Sequence, residues 1–236
     1  MKRSRPKTEP SPMVAGVITG GVRESIVRKA VNAGADSLEL RVDTFREKDP
    51  GRVAAQVRGL KRLSYAKKTP LIITVRCAAE GGERNISDKD RARLYDALIP
   101  YADFLDVELR SAKNLKDVIS SAKKAGKKVI LSYHNFRSTP GPSVLGDIVK
   151  RGRKAGGDIV KVAATARSGA DLARLARLLL DHKDLIVIAM GERGAPSRVF
   201  FPMLGSRVTY GSITKKTAPG QMPLGTIKKE LKLYGF

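Results

Sequence analysis

The chain has 236 residues, 42% of them hydrophobic and 29% charged, a formal net charge of +23 and a single cysteine, Cys77. That length fits one large domain with a sizeable core. One thiol excludes an intramolecular disulfide and argues against a cysteine-based zinc site, which suits a reducing cytoplasm, and no apolar run reaches the roughly 18 residues of a membrane helix.

A charge of +23 attracts anions: nucleic acid, anionic lipid or a small acidic metabolite. The basic residues are dispersed along helical segments, and aromatics are only 5% with no tryptophan, which leaves few stacking platforms for single strands. The composition therefore points away from specific nucleic-acid recognition.

Residues 1–12 are basic and rich in Pro and Ser, with no long hydrophobic segment behind them. They read as a flexible tail and not as a secretory signal. From residue 13 onward, short runs rich in Val and Ile alternate with amphipathic segments. A strand over 13–19 is followed by a helix over 24–33 that stops at Gly34, then a strand over 37–43 and a helix over 52–63. Strands over 70–77, 104–109 and 128–134 are separated by helices over 88–99 and 112–125, and a helix over 142–155 stops at Gly156-Gly157. The strand over 158–165 leads to a helix over 170–180 with leucines at helical spacing. Strands over 185–190 and 207–213 flank a short, irregular segment over 197–203, and a helix over 223–234 closes the chain. Eight such alternations predict a single-domain α/β (β/α)8 TIM barrel over 13–236. The alternative, a doubly wound open sheet, lacks a Gly-x-Gly-x-x-Gly turn after the first strand.

In a barrel the chemistry collects at the C-terminal ends of the strands. The polar residues there include Glu39, Arg41, Asp43, Arg76, Glu80, Glu108, His134, Lys161, Arg198, Thr217 and Gln221. Glu39, Arg41 and Asp43 fall on one face of a strand at a period of two. Their bland reading is an ion-paired interior, such as Glu39 with Arg41; their functional reading is a binding site. Lys161 interrupts an apolar strand that helices cover from outside, where burial works against its charge and favours a nucleophilic amine. His134 ends the preceding strand and reads as a proton-transfer group, whereas His182 reads as a solvated helix end. Two distant histidines and one cysteine do not make a metal set. Cys77 reads as a packing residue. The Gly191-Glu192-Arg193-Gly194 turn is equally a phosphate cradle or a lid.

These residues carry a resemblance. Glu39-Leu40-Arg41-Val42-Asp43, Thr74-Val75-Arg76 with Glu80-Gly81-Gly82, Ser132-Tyr133-His134-Asn135-Phe136 and Val160-Lys161-Val162-Ala163 come in order along the chain, followed by Met190-Gly191, Ser197-Arg198, Tyr210-Gly211-Ser212 and Ala218-Pro219-Gly220-Gln221. In that order, and from about Val14 to the end, the chain resembles the type I 3-dehydroquinate dehydratases of the shikimate pathway. The resemblance implies a cytoplasmic (β/α)8 lyase of aromatic amino acid biosynthesis, a homodimer with no metal or organic cofactor, acting on the small anion 3-dehydroquinate. It implies Lys161 as the Schiff-base residue, His134 as general acid and base, and Glu80 as the carboxylate that orients the histidine. Glu39, Arg41, Arg76, Arg198 and Gln221 take substrate-binding positions, as does Thr217, where the family often has serine. Cations near Lys161 are expected to favour its neutral amine. The closest rival is a class I aldolase, another Schiff-base barrel, whose phosphate would sit after the seventh and eighth strands, whereas Arg41 and Arg76 come from the second and third. The other rival is a basic nucleic-acid-binding protein.

Overall fold

The computed structural model describes residues 11–214 and 216–236, so most of the tail expected over 1–12 lies outside the described residues. Strands and helices alternate in the order β1 (Met13–Ile18), α1 (Glu24–Asn32), β2 (Ser37–Arg41), α2 (Pro50–Arg62), β3 (Leu71–Thr74), α3 (Asp88–Leu98), β4 (Phe104–Glu108) and α4 (Lys116–Lys124). They continue as β5 (Lys128–Asn135), α5 (Pro142–Lys154), β6 (Ile159–Thr165), α6 (Gly169–Asp181), β7 (Leu185–Met190), α7 (Ser197–Met203), β8 (Val208–Ser212) and α8 (Leu224–Leu233).

All strand pairs are parallel, in the order β7-β6-β5-β4-β3-β2-β1-β8. The ring of ladders is open only between β7 and β8. Hydrogen bonds bridge that seam: Arg207 N–H donates to the Leu185 carbonyl at 2.8 Å, Val187 N–H donates to Ser206 Oγ at 3.0 Å, and the Ser206 hydroxyl donates to the Val187 carbonyl at 3.5 Å. The result is a nearly closed (β/α)8 barrel. No helix among the described residues is long and apolar enough to cross a membrane.

Local chemistry fixes the element ends. Asp49 caps α2 by accepting from Arg52 N–H, with Pro50 at the first helical position. Ser168 and Asp171 form a reciprocal capping box at α6. The expectation for 197–203 is corrected: the segment is an α-helix of about two turns, and Pro202 near its end removes a donor that a longer helix would need. The strands over 37–43 and 70–77 are also shorter than expected. The chain leaves β2 at Arg41 through a 3₁₀ turn, and Arg76 lies just past β3.

Alternation within each strand separates two environments. On β6, Val160, Val162 and Ala164 face outward into a cluster with Leu145, Leu175 and Leu179 of α5 and α6. Each such buried aliphatic side chain is worth about 1.5–3 kcal/mol. Ile159 and Ala163 face inward, joining Ala15, Ile72, Ile130, Ile186 and Val208 in the barrel interior, with Met13 and Phe104 packed beneath. Lys161 shares that inward face.

Candidate active site

The inward positions of β2 to β6 hold a network of charges. Lys161 Nζ donates to Asp106 Oδ2 at 2.9 Å and lies 3.8 Å from Glu39 Oε1. Glu39 also accepts from Thr74 Oγ1 at 2.9 Å. Arg76 pairs with Asp106 at 3.0 Å and Glu108 at 2.8 Å, and it donates to Ser132 Oγ at 2.7 Å. The Ser132 hydroxyl in turn donates to Asp106 Oδ1 at 2.6 Å. Behind them Arg91, fully buried, pairs with Glu108 and donates to the Val75 carbonyl.

The register explains the convergence: Glu108 is level with Ser132, and Ser132 with Lys161. Burial works against the charge on Asp106, but Arg76 and Lys161 outweigh it and hold the carboxyl well below the usual carboxylate range. Burial likewise works against the Arg76 guanidinium, and Asp106 and Glu108 reverse that effect, holding it above its ordinary value.

His134 sits at the rim of this wall. Its Nδ1 is 2.9 Å from Glu80 Oε2, and its backbone N–H donates to the same oxygen at 2.9 Å. Glu80 is delivered by a 3₁₀ turn that ends at Gly81, whose φ of 87° suits glycine. A Cβ there would also come within 2.7 Å of the Phe136 ring. Burial pushes the Glu80 carboxyl up to about 7 against the pull of Arg76. Burial, then Arg76 and Lys161, push the His134 imidazole well below its ordinary value. The histidine is therefore neutral at physiological pH, with Nδ1 engaged and Nε2 available to the cavity.

The opposite wall is different. Ile188 and Met190 of β7 and Val17 of β1 line it with apolar surface, interrupted by Tyr210 of β8 and Arg198 of α7. Arg198 is 2% exposed, and its Nε and Nη2 have no hydrogen-bond partner. Burial brings its guanidinium down to about 10. The Tyr210 hydroxyl is also buried without a partner, and the ring centroid lies 4.2 Å from Lys161 Nζ. The two walls enclose a cavity of about 540 Å³ that opens to solvent.

Lys161, His134, Glu80, Glu39, Arg41, Arg76, Arg198, Thr217 and Gln221 all line this one cavity. Gln221 Oε1 accepts from the Thr217 backbone N–H and hydroxyl at 2.7 and 3.0 Å, folding the loop after β8 over the opening. That loop touches the turn after β7: Gly191 N–H donates to the Pro219 carbonyl, and a Cβ on Gly220 would lie 2.1 Å from the Gly191 carbonyl oxygen.

Two expectations are corrected. Arg41 pairs with Asp43 and not Glu39, through two bonds of 2.8 and 2.7 Å, because the 3₁₀ turn at Val42–Thr44 takes Asp43 off the strand. The groups in contact with the Lys161 amine are the carboxylates Asp106 and Glu39, not arginines. At the turn over 191–194, the Gly191 and Gly194 N–H groups donate to the Pro219 and Gly191 carbonyls, so those two amides are engaged within the protein. Cys77 is half-buried, and burial, then Glu108 and Glu80, push its thiol up, which works against the reactive thiolate. Asp106 and Tyr210 are the groups that a reading of strand ends misses; the signal for Asp106 was its period-two spacing from Glu108.

A family model for type I 3-dehydroquinase matches residues 18–235. The chain belongs to the type I 3-dehydroquinase family. It is 35% identical to the 3-dehydroquinate dehydratase of Pyrococcus abyssi over 224 residues, covering 94% of this chain and 99% of that protein. Against the Aquifex aeolicus enzyme the identity is 39% over 199 residues, covering 84% and 87%. The crystal structure of that Aquifex aeolicus dehydratase superposes with a TM-score of 0.85 at 34% identity, covering 94% of this chain and 99% of the other. The type I dehydratase of Clostridium difficile, solved with covalently modified comenic acid, superposes with a TM-score of 0.86 at 28% identity, covering 96% and 93%. Membership in the type I 3-dehydroquinase family sets the aldolase alternative aside. It also makes the cavity that joins a buried lysine to a carboxylate-bound histidine the candidate active site.

Proposed function

We propose that this type I 3-dehydroquinase dehydrates 3-dehydroquinate to 3-dehydroshikimate through an imine on Lys161, with His134 moving the protons. The observation that carries this reading is a single amine, Lys161 Nζ, buried in the cavity wall beside a neutral imidazole. The substrate is a cyclic ketone with a hydroxyl β to the carbonyl, on a carbon that also bears a carboxylate. Lys161 Nζ gives up a proton and attacks the carbonyl carbon; loss of one water leaves an iminium. The cationic nitrogen acidifies the adjacent C–H, and His134 Nε2 takes that proton to give an enamine. The enamine electrons reform the iminium as the β C–O bond breaks, and the imidazolium protonates the departing hydroxyl as a second water. Hydrolysis consumes one water and frees Lys161, so the net loss is one water.

Asp106 serves this sequence as a positioning group. Held ionised by Arg76 and Lys161, it fixes Nζ in place and stabilises the cationic iminium. Glu80 holds the histidine ring through Nδ1. Arg198, with two unpartnered N–H groups, receives the carboxylate. Arg41, Glu39, Thr217 and Gln221 surround the ring hydroxyls. Covalent modification of a related enzyme by a small acid is in keeping with this chemistry. A cytoplasmic homodimer belongs to the same reading, and the exposed Leu180 of α6, Phe200 of α7, Leu233 of α8 and Tyr234 just after it offer apolar area for a second copy.

Borohydride reduction in the presence of 3-dehydroquinate, followed by peptide mapping, tests the reading. The expected result is a reduced adduct on Lys161 and loss of activity. An unmodified Lys161 in inactivated enzyme would overturn it.

A further inference from the structure

We propose that the Tyr210 hydroxyl is a substrate-binding group that donates, beside the Arg198 guanidinium, to the carboxylate of the bound ring. The inference builds on the proposed function, which places a carboxylate at Arg198. Tyr210 lies on the inward face of β8, level with Ala15 of β1, and is 4% exposed. Its ring face covers the Lys161 amine, a contact that phenylalanine would make equally well. The hydroxyl therefore needs a separate reason. It is sealed from solvent and has no hydrogen-bond partner, a state that costs free energy unless a ligand completes it.

Arg198 is in the same condition on the same wall, with Nε and Nη2 buried and unpartnered. The two are physically coupled: Thr209, the residue before Tyr210, donates its hydroxyl to the Arg198 carbonyl at 2.9 Å. Three donors without acceptors thus face a cavity whose remaining charges are satisfied among themselves. A carboxylate offers about four lone-pair sites, enough for both guanidinium N–H groups and one hydroxyl. Burial, then Glu39 and Asp106, keep the phenol protonated, so it can only act here as a donor to an anion. The apolar lining from Ile188 and Met190 excludes competing water and strengthens each bond.

The test is Tyr210→Phe, which removes one oxygen and keeps the ring over Lys161. The expected result is a KM raised about tenfold, the value of one hydrogen bond to a charged group, with kcat within about threefold because the bond is made equally in ground and transition states. Thermal stability stays level or rises, since an unsatisfied buried hydroxyl is gone. A saturated-ring hydroxy acid inhibitor weakens about tenfold on Tyr210→Phe, whereas its carboxamide binds both proteins alike. A KM and an acid Ki within twofold of the parent would overturn the proposal, as would a lowered melting temperature with unchanged KM, which marks a purely structural hydroxyl. The contrast between acid and amide is read without catalysis. Failure of borohydride trapping on Lys161 would therefore overturn the imine while leaving this proposal to stand or fall on its own inhibitor data.

Discussion

The two walls of the cavity are built on opposite principles. From β2 to β6 each charge is answered by another: Lys161 by Asp106, Arg76 by Asp106 and Glu108, Glu108 by Arg91, Arg41 by Asp43. From β7 and β8, Arg198 and Tyr210 stand buried without partners in apolar surroundings. The first wall is complete without substrate, so its geometry is fixed before binding and no reorganisation is required when charge develops at the amine. The second is incomplete without substrate, and its unmet hydrogen bonds are a standing cost that binding relieves. Under the proposed function, the groups that handle the amine and the groups that receive the carboxylate are separated in space. A substitution on the paired wall should damage the fold and turnover together, while one on the unpaired wall should damage binding and spare the fold.

Asp106→Asn is the largest expected break of this contrast. It leaves Lys161 and Arg76 short of a buried counter-charge, so stability should fall by about 3–5 kcal/mol. The amine loses its fixed position, and kcat should fall by on the order of 10²-fold. Chemical denaturation and steady-state kinetics on the same preparation check both. Unaltered stability would mean that the paired wall is not held by its charges. Arg198→Met comes next. KM should rise on the order of 10²-fold, the value of a lost bidentate charged contact. Stability should hold or rise, because a buried guanidinium with two idle N–H groups is replaced by apolar volume. A melting temperature several degrees lower would erase the distinction between the walls.

The legibility of the molecule in its sequence divides along similar lines. The barrel could be read because each strand is a short β-branched run and each helix has its own stop, and those signals are local. Lys161 and His134 could be read because a charge in an apolar strand, or an imidazole at its end, needs an explanation that does not depend on its neighbours. What could not be read was register. Nothing local says that Glu108 is level with Ser132 and Ser132 with Lys161, so the spacing of Asp106 from Glu108 marks a shared face without placing Asp106 at the amine, and the sequence points to arginines there instead. The pairing of Arg41 is hidden for a related reason: period-two alternation holds only while the chain stays in a strand, and the strand ends at Arg41. Segment 197–203 looked irregular because it is a short helix with an internal proline, too brief to display a period.

The smallest expected effect lies at the rim of the paired wall, at Glu80 and His134, and it concerns pH. The Glu80 carboxyl is raised by burial from 4.5 to about 7. Above about 7 it is ionised and accepts from His134 Nδ1–H, which leaves the Nε2 lone pair free to take a proton. Below about 7 the carboxyl keeps its proton and bonds to Nδ1 as a donor, so Nε2 carries the ring hydrogen and cannot act as base. The ratio kcat/KM should therefore climb up to about tenfold per pH unit on the acid side and level off above a midpoint near 7. Stability follows with the opposite sign. Between 4.5 and about 7 the folded protein holds a Glu80 proton that the unfolded chain has released, so this contribution is full below 4.5 and lost as pH rises through about 7. His134, pushed below its ordinary 6.5, works the other way: its contribution is full above 6.5 and lost as pH falls through its lowered value. Glu80→Gln isolates the carboxyl. The stability of the parent relative to Glu80→Gln should decline from pH 5 to 8, and the acid limb of kcat/KM should flatten in the variant. An acid limb of unchanged midpoint in Glu80→Gln would move the controlling ionisation away from Glu80. It would leave the carboxylate as a ring-holding group on the paired wall and nothing more.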